Sequence, residues 1–346
     1  MQGLTNAGVM RVVSLGMTDE ELERLCRRGD TGSAPWIYWP SENYSFGSAT
    51  RVNTGFPKWL PLFVYSDHGC GLHTDLTKHE LENSSRVHLT WHCQKYSKYS
   101  NHEGRRVLLV KHPWMDYRLA KGYRRDLDPR AGTLVFFMHG TPSVEWTGHD
   151  DDAYFQALKS LPEKFHPIVL CLHMHDVNAG FHRKLRRHGF EIVTAGNTSN
   201  IRFVDEFYTL VRGFRYATAK AWGSYVPYCV EMGVPFFFFG TAPTLINKSD
   251  RNFELGAAPE FFGDEHRELM CQAKEIFAHP VDAVTDEQLS FVKKYLGFDS
   301  AISHEALRAI LWGEFFHHWR QWYRIPKYWV IVFLKKLRRI AAVNGE

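Results

Sequence analysis

Residues Gly213 to Gly240 read GFRYATAKAWGSYVPYCVEMGVPFFFFG, and this stretch decides the fold. Tyr216 to Thr218 forms a short strand, and Trp222-Gly223-Ser224-Tyr225 turns the chain. An apolar helix then runs to Met232-Gly233, and Pro235 to Phe239 is a second strand. Apolar residues on both faces of the strands, joined through a helix, mark a parallel sheet covered by helices.

The same alternation extends upstream. Apolar runs at Leu134 to Met138, Ile168 to Leu172 and Glu191 to Thr194 are separated by helix-length segments such as Ala153 to Leu161 and Ile201 to Arg212. This is a doubly wound pattern. Nearer the start, shorter runs at Trp36 to Trp39, Leu62 to Ser66, Val87 to Trp91 and Val107 to Lys111 read as strands. Beyond Phe239 the spacing becomes helical over Asp264 to Phe277, Thr285 to Tyr295 and His304 to Trp322. Between the two sets of strands, Asp126 to Gly132 (DLDPRAG) is polar and contains Pro and Gly, as a boundary would. The reading is therefore α/β, with an N-terminal unit over 1–128, a second over 129–262 and helices over 263–346.

Composition narrows the function. In 346 residues, 42 basic against 38 acidic side chains leave a net charge of +4, too mild to argue for nucleic acid as a partner. Apolar residues at 44% and charged residues at 23% exclude a disordered, collagen-like or coiled-coil chain. The six cysteines are far apart with no C-x-x-C, against both a zinc ribbon and a dense disulfide framework. Met1 to Leu25 lacks a secretory pattern, and no run reaches about 18 apolar residues, so a cytoplasmic protein without a membrane span is expected. The 11 Trp, 15 Tyr, 25 Phe and 19 His suit stacking on rings and binding of polar ligands.

Polar clusters follow the strands, where a parallel α/β sheet binds its ligands. Asp67-His68 sits on a turn with Gly69 and offers a general base. His139-Gly140-Thr141-Pro142-Ser143 presents backbone N–H groups and hydroxyls suited to phosphate, with Glu145 just beyond. It is neither a Walker A loop nor a G-x-G-x-x-G fingerprint. His173 and His175, read on one face of a strand and followed by Asp176, invite a metal, but the further histidine of an H-x-H-x-D-H site is absent. Asn197-Thr198 precedes a helix it can cap, and Gly223-Ser224 opens the helix described above.

These clusters resemble one family. Gly213 to Gly240 looks like the donor-binding strand, loop, helix and strand of GT-B glycosyltransferases. More narrowly, it is similar to bacterial enzymes of capsule and lipopolysaccharide assembly, which carry an S-N-x-x-G-S turn followed by Y-x-x-x-x-G-x-P. Gly223, Ser224, Tyr228, Gly233 and Pro235 match, whereas Ala219-Lys220 stand where such members often have Ser-Asn. The likeness covers Leu134 to Asn247, about a third of the chain.

The resemblance implies two Rossmann-like domains facing across a cleft, with the C-terminal helices returning to the first domain. It implies a nucleotide-sugar donor, a glycan or lipid-linked acceptor of surface polysaccharide assembly, and no metal or other cofactor. His139, Gly140, Thr141, Ser143, His173, Asn197, Thr198, Gly223, Ser224 and Glu231 become donor-binding residues, and Asp67 or His68, with Glu145 as alternative, becomes the base of an inverting transfer. CDP-dependent phospho-polyol transfer or CMP-dependent sugar transfer fits the same fold. A metal-dependent hydrolase built on His139, His173, His175 and Asp176 is the competing class, and a non-catalytic membrane scaffold is a third.

The final segment, Pro326 to Ala342 (PKYWVIVFLKKLRRIAA), is apolar and then cationic. Trp329, Phe333, Leu337 and Ile340 fall on one helical face. Such a helix either adsorbs to an anionic inner leaflet or packs on the body of the protein.

Overall fold

A computed structural model describes residues 16–27, 29–126, 131–137, 144–147, 151–242, 244–247 and 264–343, with only the backbone at 78, 131, 144–147, 244–247 and 335–343. Strands β1 (Tyr65–Ser66), β2 (Val87–Thr90) and β3 (Arg106–Leu109) form a parallel sheet in the order β1-β2-β3. Of the remaining strands, β4 (Ala131–Phe136), β6 (Ile168–Cys171), β7 (Glu191–Val193), β8 (Phe214–Ala219) and β9 (Phe236–Phe238) form a second parallel sheet. Its order is β7-β6-β4-β8-β9, so the chain leaves its first strand in one direction for β6 and β7 and in the other for β8 and β9. Between β4 and β8 lies the switch point, where such sheets open a crevice at their carboxyl ends. The remaining pair, β5 (Val144–Thr147) and β10 (Thr244–Asn247), is an antiparallel ribbon joining the loops after β4 and β9. The architecture is mixed α/β with parallel sheets, compatible with Rossmann-like domains.

Strand alternation explains the core. Leu134, Val169, Ala217 and Phe236 point to one face of the second sheet, meeting Phe207 and Val226 from the helices Phe203–Val211 and Tyr225–Glu231. Val135, Leu170, Tyr216 and Phe237, each one residue away from these, point to the other, against Phe155 and Leu158 of the helix Asp151–Lys159. The first face is continuous with the core of the other sheet, including Val64, Leu89 and Trp91.

Three sequence expectations change. Trp36 to Trp39 is not a strand: Pro40 has no N–H for a ladder and instead starts the short helix Trp39–Glu42. Of Leu62 to Ser66, only Tyr65–Ser66 pairs; Leu62, Phe63 and Val64 are buried by side-chain packing without a ladder. Residues 17–26, placed with the N-terminal unit, pack on the second sheet. Met17 N–H donates to the Ile192 carbonyl at 2.9 Å, and Leu22 and Cys26 enter the core beside Leu170 and Ile192. At the other end of the chain, the helix His304–His317 lies on the first half, with the Trp312 ring 5.0 Å from Phe56 and Phe315 6.2 Å from Phe63.

Candidate functional site

Loops from both sheets meet at the switch point. The Ser224 hydroxyl accepts the Cys70 N–H at 2.8 Å, and the Trp222 indole donates to the Cys70 carbonyl at 2.8 Å. Cys70, in the loop after β1, is thus tied through both its backbone groups to the loop after β8. Gly69 makes the approach possible: its φ is +77°, and a Cβ there would collide with the Ser224 hydroxyl.

This joint closes one wall of a cavity of about 330 Å³. Phe136 and Phe137 at the end of β4, Leu172 and His173 after β6, and Thr194 to Gly196 after β7 line the second-sheet side. His68, Gly69, Tyr44 and Trp114 line the side nearer the first sheet, and Gly223, Ser224, Tyr225 and Tyr228 complete it. Ring-lined walls with a few convergent polar groups are what a small-molecule site presents. A second cavity, also about 330 Å³, lies beneath the helices Phe46–Thr54 and His304–His317. The Ser41, Ser66 and Ser300 hydroxyls there donate to the carbonyls of Val64, Asp67 and Leu109, which withdraws those donors from a ligand. The inter-sheet cavity is the better candidate.

Its rim includes Tyr44, whose φ of 53°, with 60° at Ser45, is left-handed and strained for such residues. The strain is held by the surroundings. Tyr44 N–H donates to the Thr198 carbonyl at 2.7 Å, the Trp114 indole donates to the Tyr44 carbonyl at 2.9 Å, and the Ser45 hydroxyl donates to the Asn200 carbonyl at 2.9 Å. The Tyr44 hydroxyl lies 3.5 Å from His173 Nε2, and burial pushes its pKa up to about 12, so it remains a phenol. No spacing in the sequence singles out Tyr44 or Trp114; the only signal is that both are aromatic.

His68 lies at the mouth, its side chain exposed and its ring 4.4 Å from Trp39 and 5.1 Å from Tyr44. His173 lines the cavity and accepts the His175 N–H at Nδ1, capping the helix Met174–Asn178. Because β6 ends at Cys171, His173 and His175 occupy a helix start rather than one face of a strand. Asp176 is the following helical residue, and burial pushes its carboxyl up to about 7.

Asp67 takes a different role from the expected base. Its Oδ1 accepts from His88 Nε2 at 2.9 Å and from the Lys95 ammonium at 3.0 Å, and its Oδ2 from the Thr90 hydroxyl at 2.5 Å. Burial alone would raise its pKa, but Lys95 above all, then His88 and Thr90, hold the carboxyl well below the usual range. A carboxylate so engaged is a poor proton acceptor at neutral pH. Asp67, Glu80 and His88 are also the trio among the described residues whose ligand atoms converge as for a metal. Lys95 already sits 3.0 Å from both carboxylates, and they outweigh its burial and raise its pKa, so an ammonium supplies the positive charge there.

Three residues expected at the donor are likewise engaged within the fold. The Asn197 side chain donates to the Cys26 carbonyl at 2.9 Å and accepts the Ser199 N–H at 2.9 Å, fastening the N-terminal helix Asp19–Cys26. Thr198 is buried, its hydroxyl directed at Met174 Sδ. Glu231 forms a buried two-point pair with Arg118, and burial raises its pKa even against that partner. Lys220, where relatives of the resembled family carry Asn, lies 4.0 Å over the Tyr154 ring and 3.8 Å from Asp151 Oδ1. His139, Gly140, Thr141 and Ser143 lie outside the described residues, and Glu145 is described only as a backbone position in β5, opposite Ile246.

No protein-family model matches the chain, and a search of curated proteins returns no match.

Proposed function

We propose that the chain is a metal-independent glycosyltransferase of the GT-B type. It would move a sugar from a nucleotide-sugar donor to a glycan or lipid-linked acceptor in bacterial surface polysaccharide assembly. The observation that carries this reading is the ring-lined cavity at the β4/β8 switch point, where His68 from one sheet faces His173 and Ser224 from the other. Switch-point crevices are the usual nucleotide sites of such sheets.

In this reading the donor's base and ribose lie among the aromatic walls, and its diphosphate meets Ser224 and His173. Ser224 accepts from Cys70, which leaves its own O–H to donate to phosphate. His68 takes the proton of the acceptor hydroxyl as that oxygen bonds to the anomeric carbon. The bond from that carbon to the diphosphate breaks, and the nucleotide leaves with the electron pair. Imidazole and hydroxyl donors stabilise the departing charge.

The test is a thermal-shift series with UDP, GDP, CDP, CMP, dTDP and ADP, each with and without EDTA. A nucleotide present at about a hundred times its Kd stabilises the fold by roughly 2.7 kcal/mol. One nucleotide should raise Tm, with no change on adding EDTA. Silence across the series, with a shift only on adding zinc or manganese, would replace the transferase with a metal-dependent hydrolase.

A further inference from the structure

The last helix, Arg324–Val343, leaves an apolar surface that the rest of the described protein does not cover. Its root is fixed, because the Tyr328 hydroxyl donates to the Gly32 carbonyl at 2.8 Å. Immediately beyond, all six side chains from Trp329 to Leu334 are exposed, by 36 to 59%. Phe316, Trp319 and Tyr323, exposed by 57 to 61%, lead into them. Nine of the fourteen large apolar side chains exposed among the described residues therefore fall within 316–334. Scattered apolar residues need no explanation, but a continuous set does.

We infer that this ridge and helix adsorb to the surface of an anionic lipid bilayer. Six consecutive helical residues, about 100° apart, cover the whole circumference, whereas a protein partner's groove buries one stripe. A helix sunk to the level of the headgroups and first acyl carbons brings a wider arc of them into contact with lipid than a groove would. The sequence continues in the same helix as Lys335-Lys336-Leu337-Arg338-Arg339, which complements anionic headgroups. The same four cations would oppose a symmetric pairing of two copies through this helix. No helix among the described residues is long and apolar enough to cross a membrane, so the mode is adsorption in the interface. Aromatic rings such as Trp319, Tyr323 and Trp329 favour that depth. This inference stands apart from the transferase reading and survives its failure.

The experiment is co-sedimentation of the full chain with phosphatidylcholine vesicles, with and without phosphatidylglycerol, at low and high salt. The protein should partition onto the phosphatidylglycerol vesicles, less so at high salt. Trp329→Ser with Phe333→Ser should weaken partition about tenfold by removing apolar insertion. Lys335→Gln, Lys336→Gln, Arg338→Gln and Arg339→Gln together should weaken it by about a thousandfold and abolish the preference for phosphatidylglycerol. A denaturation midpoint unchanged in both variants would show that binding, not folding, was altered. Failure of the unmodified protein to bind either vesicle, or binding unaffected by both variants, would overturn the inference. So would a dimer in sedimentation velocity that the Trp329→Ser, Phe333→Ser variant dissociates while vesicle binding persists, which would assign the ridge to a second copy.

Discussion

Asp67 and His68 are neighbours in the chain and belong to different regions of the molecule. Asp67 enters a buried cluster with Lys95, His88 and Glu80, while His68 turns out to the mouth of the inter-sheet cavity. The first region holds its charges in fixed, mutually neutralising contacts; the second lines a cavity. At the end of a strand, successive side chains point in opposite directions. A pair of catalytic-looking residues can therefore divide between architecture and chemistry.

The sharpest way to break this comparison is to remove the cation of the buried cluster. Lys95→Met leaves Asp67 and Glu80 facing each other without an intervening charge, and breaking a buried pair costs about 3–5 kcal/mol. His68→Ala, at an exposed position, should shift stability by less than about 0.5 kcal/mol. Urea denaturation of both variants measures the difference. Equal midpoints would remove the distinction between the two regions.

Turnover should show the reverse ranking. If His68 is the base, His68→Ala lowers kcat by about 10²–10⁴-fold with nucleotide affinity intact. Asp67→Asn should act chiefly through lost stability, because its contacts are with Lys95, His88 and Thr90. Single-turnover assays on folded protein separate the two. A folded Asp67→Asn enzyme as impaired as His68→Ala would return Asp67 to the chemistry.

The contrast also has a pH signature. Burial pushes His73 and His92 down to about 4 and His112 to about 3, from an ordinary 6.5. Between those values the unfolded chain binds more protons, so stability rises with pH and is lost as pH falls from about 6.5 toward 4. Asp176, raised by burial to about 7, opposes this, since the folded state holds its proton in that window. Three groups outweigh one, so the urea midpoint should fall between pH 6.5 and pH 5. A flat midpoint would mean that these histidines are hydrated in the fold.

What was legible in the sequence follows from the same physics. The strands of the second sheet are buried on both faces, so their apolar runs stand out: Ile168 to Leu172 overshoots β6 by one residue, whereas Leu134 to Met138 misses the first three residues of β4, where Ala131-Gly132-Thr133 gives little apolar signal. The first sheet is harder to read, because β1 pairs over only two residues and Pro40 diverts the run before it. His68, His173, Gly223 and Ser224 were legible as strand-end residues that now line one cavity. Asp67, Asn197 and Glu231 were not, because their engagements lie with residues 28, 171 and 113 positions away in the chain. Residue type announces that a polar group needs a partner. It does not say whether the partner is a ligand or another part of the fold.

The finest division falls within the second half, between Ser224 and Asn197. Both follow strands of the same sheet, and the resemblance assigns both to the donor. Ser224 lines the cavity and keeps an O–H available, so Ser224→Ala should weaken nucleotide binding by roughly 1.5–3 kcal/mol, the value of a hydrogen bond to a charged group. Asn197 has its amide and carbonyl engaged by Cys26 and Ser199. Asn197→Ala should lower stability by about 1–3 kcal/mol, through the buried Cys26 carbonyl it leaves without its donor, and leave nucleotide affinity unchanged. Calorimetric titration with the stabilising nucleotide, beside urea denaturation, reads both quantities. Lost affinity in Asn197→Ala with stability intact would place the nucleotide against the N-terminal helix instead of in the inter-sheet cavity, because the two faces of that side chain cannot serve Cys26 and a ribose at once.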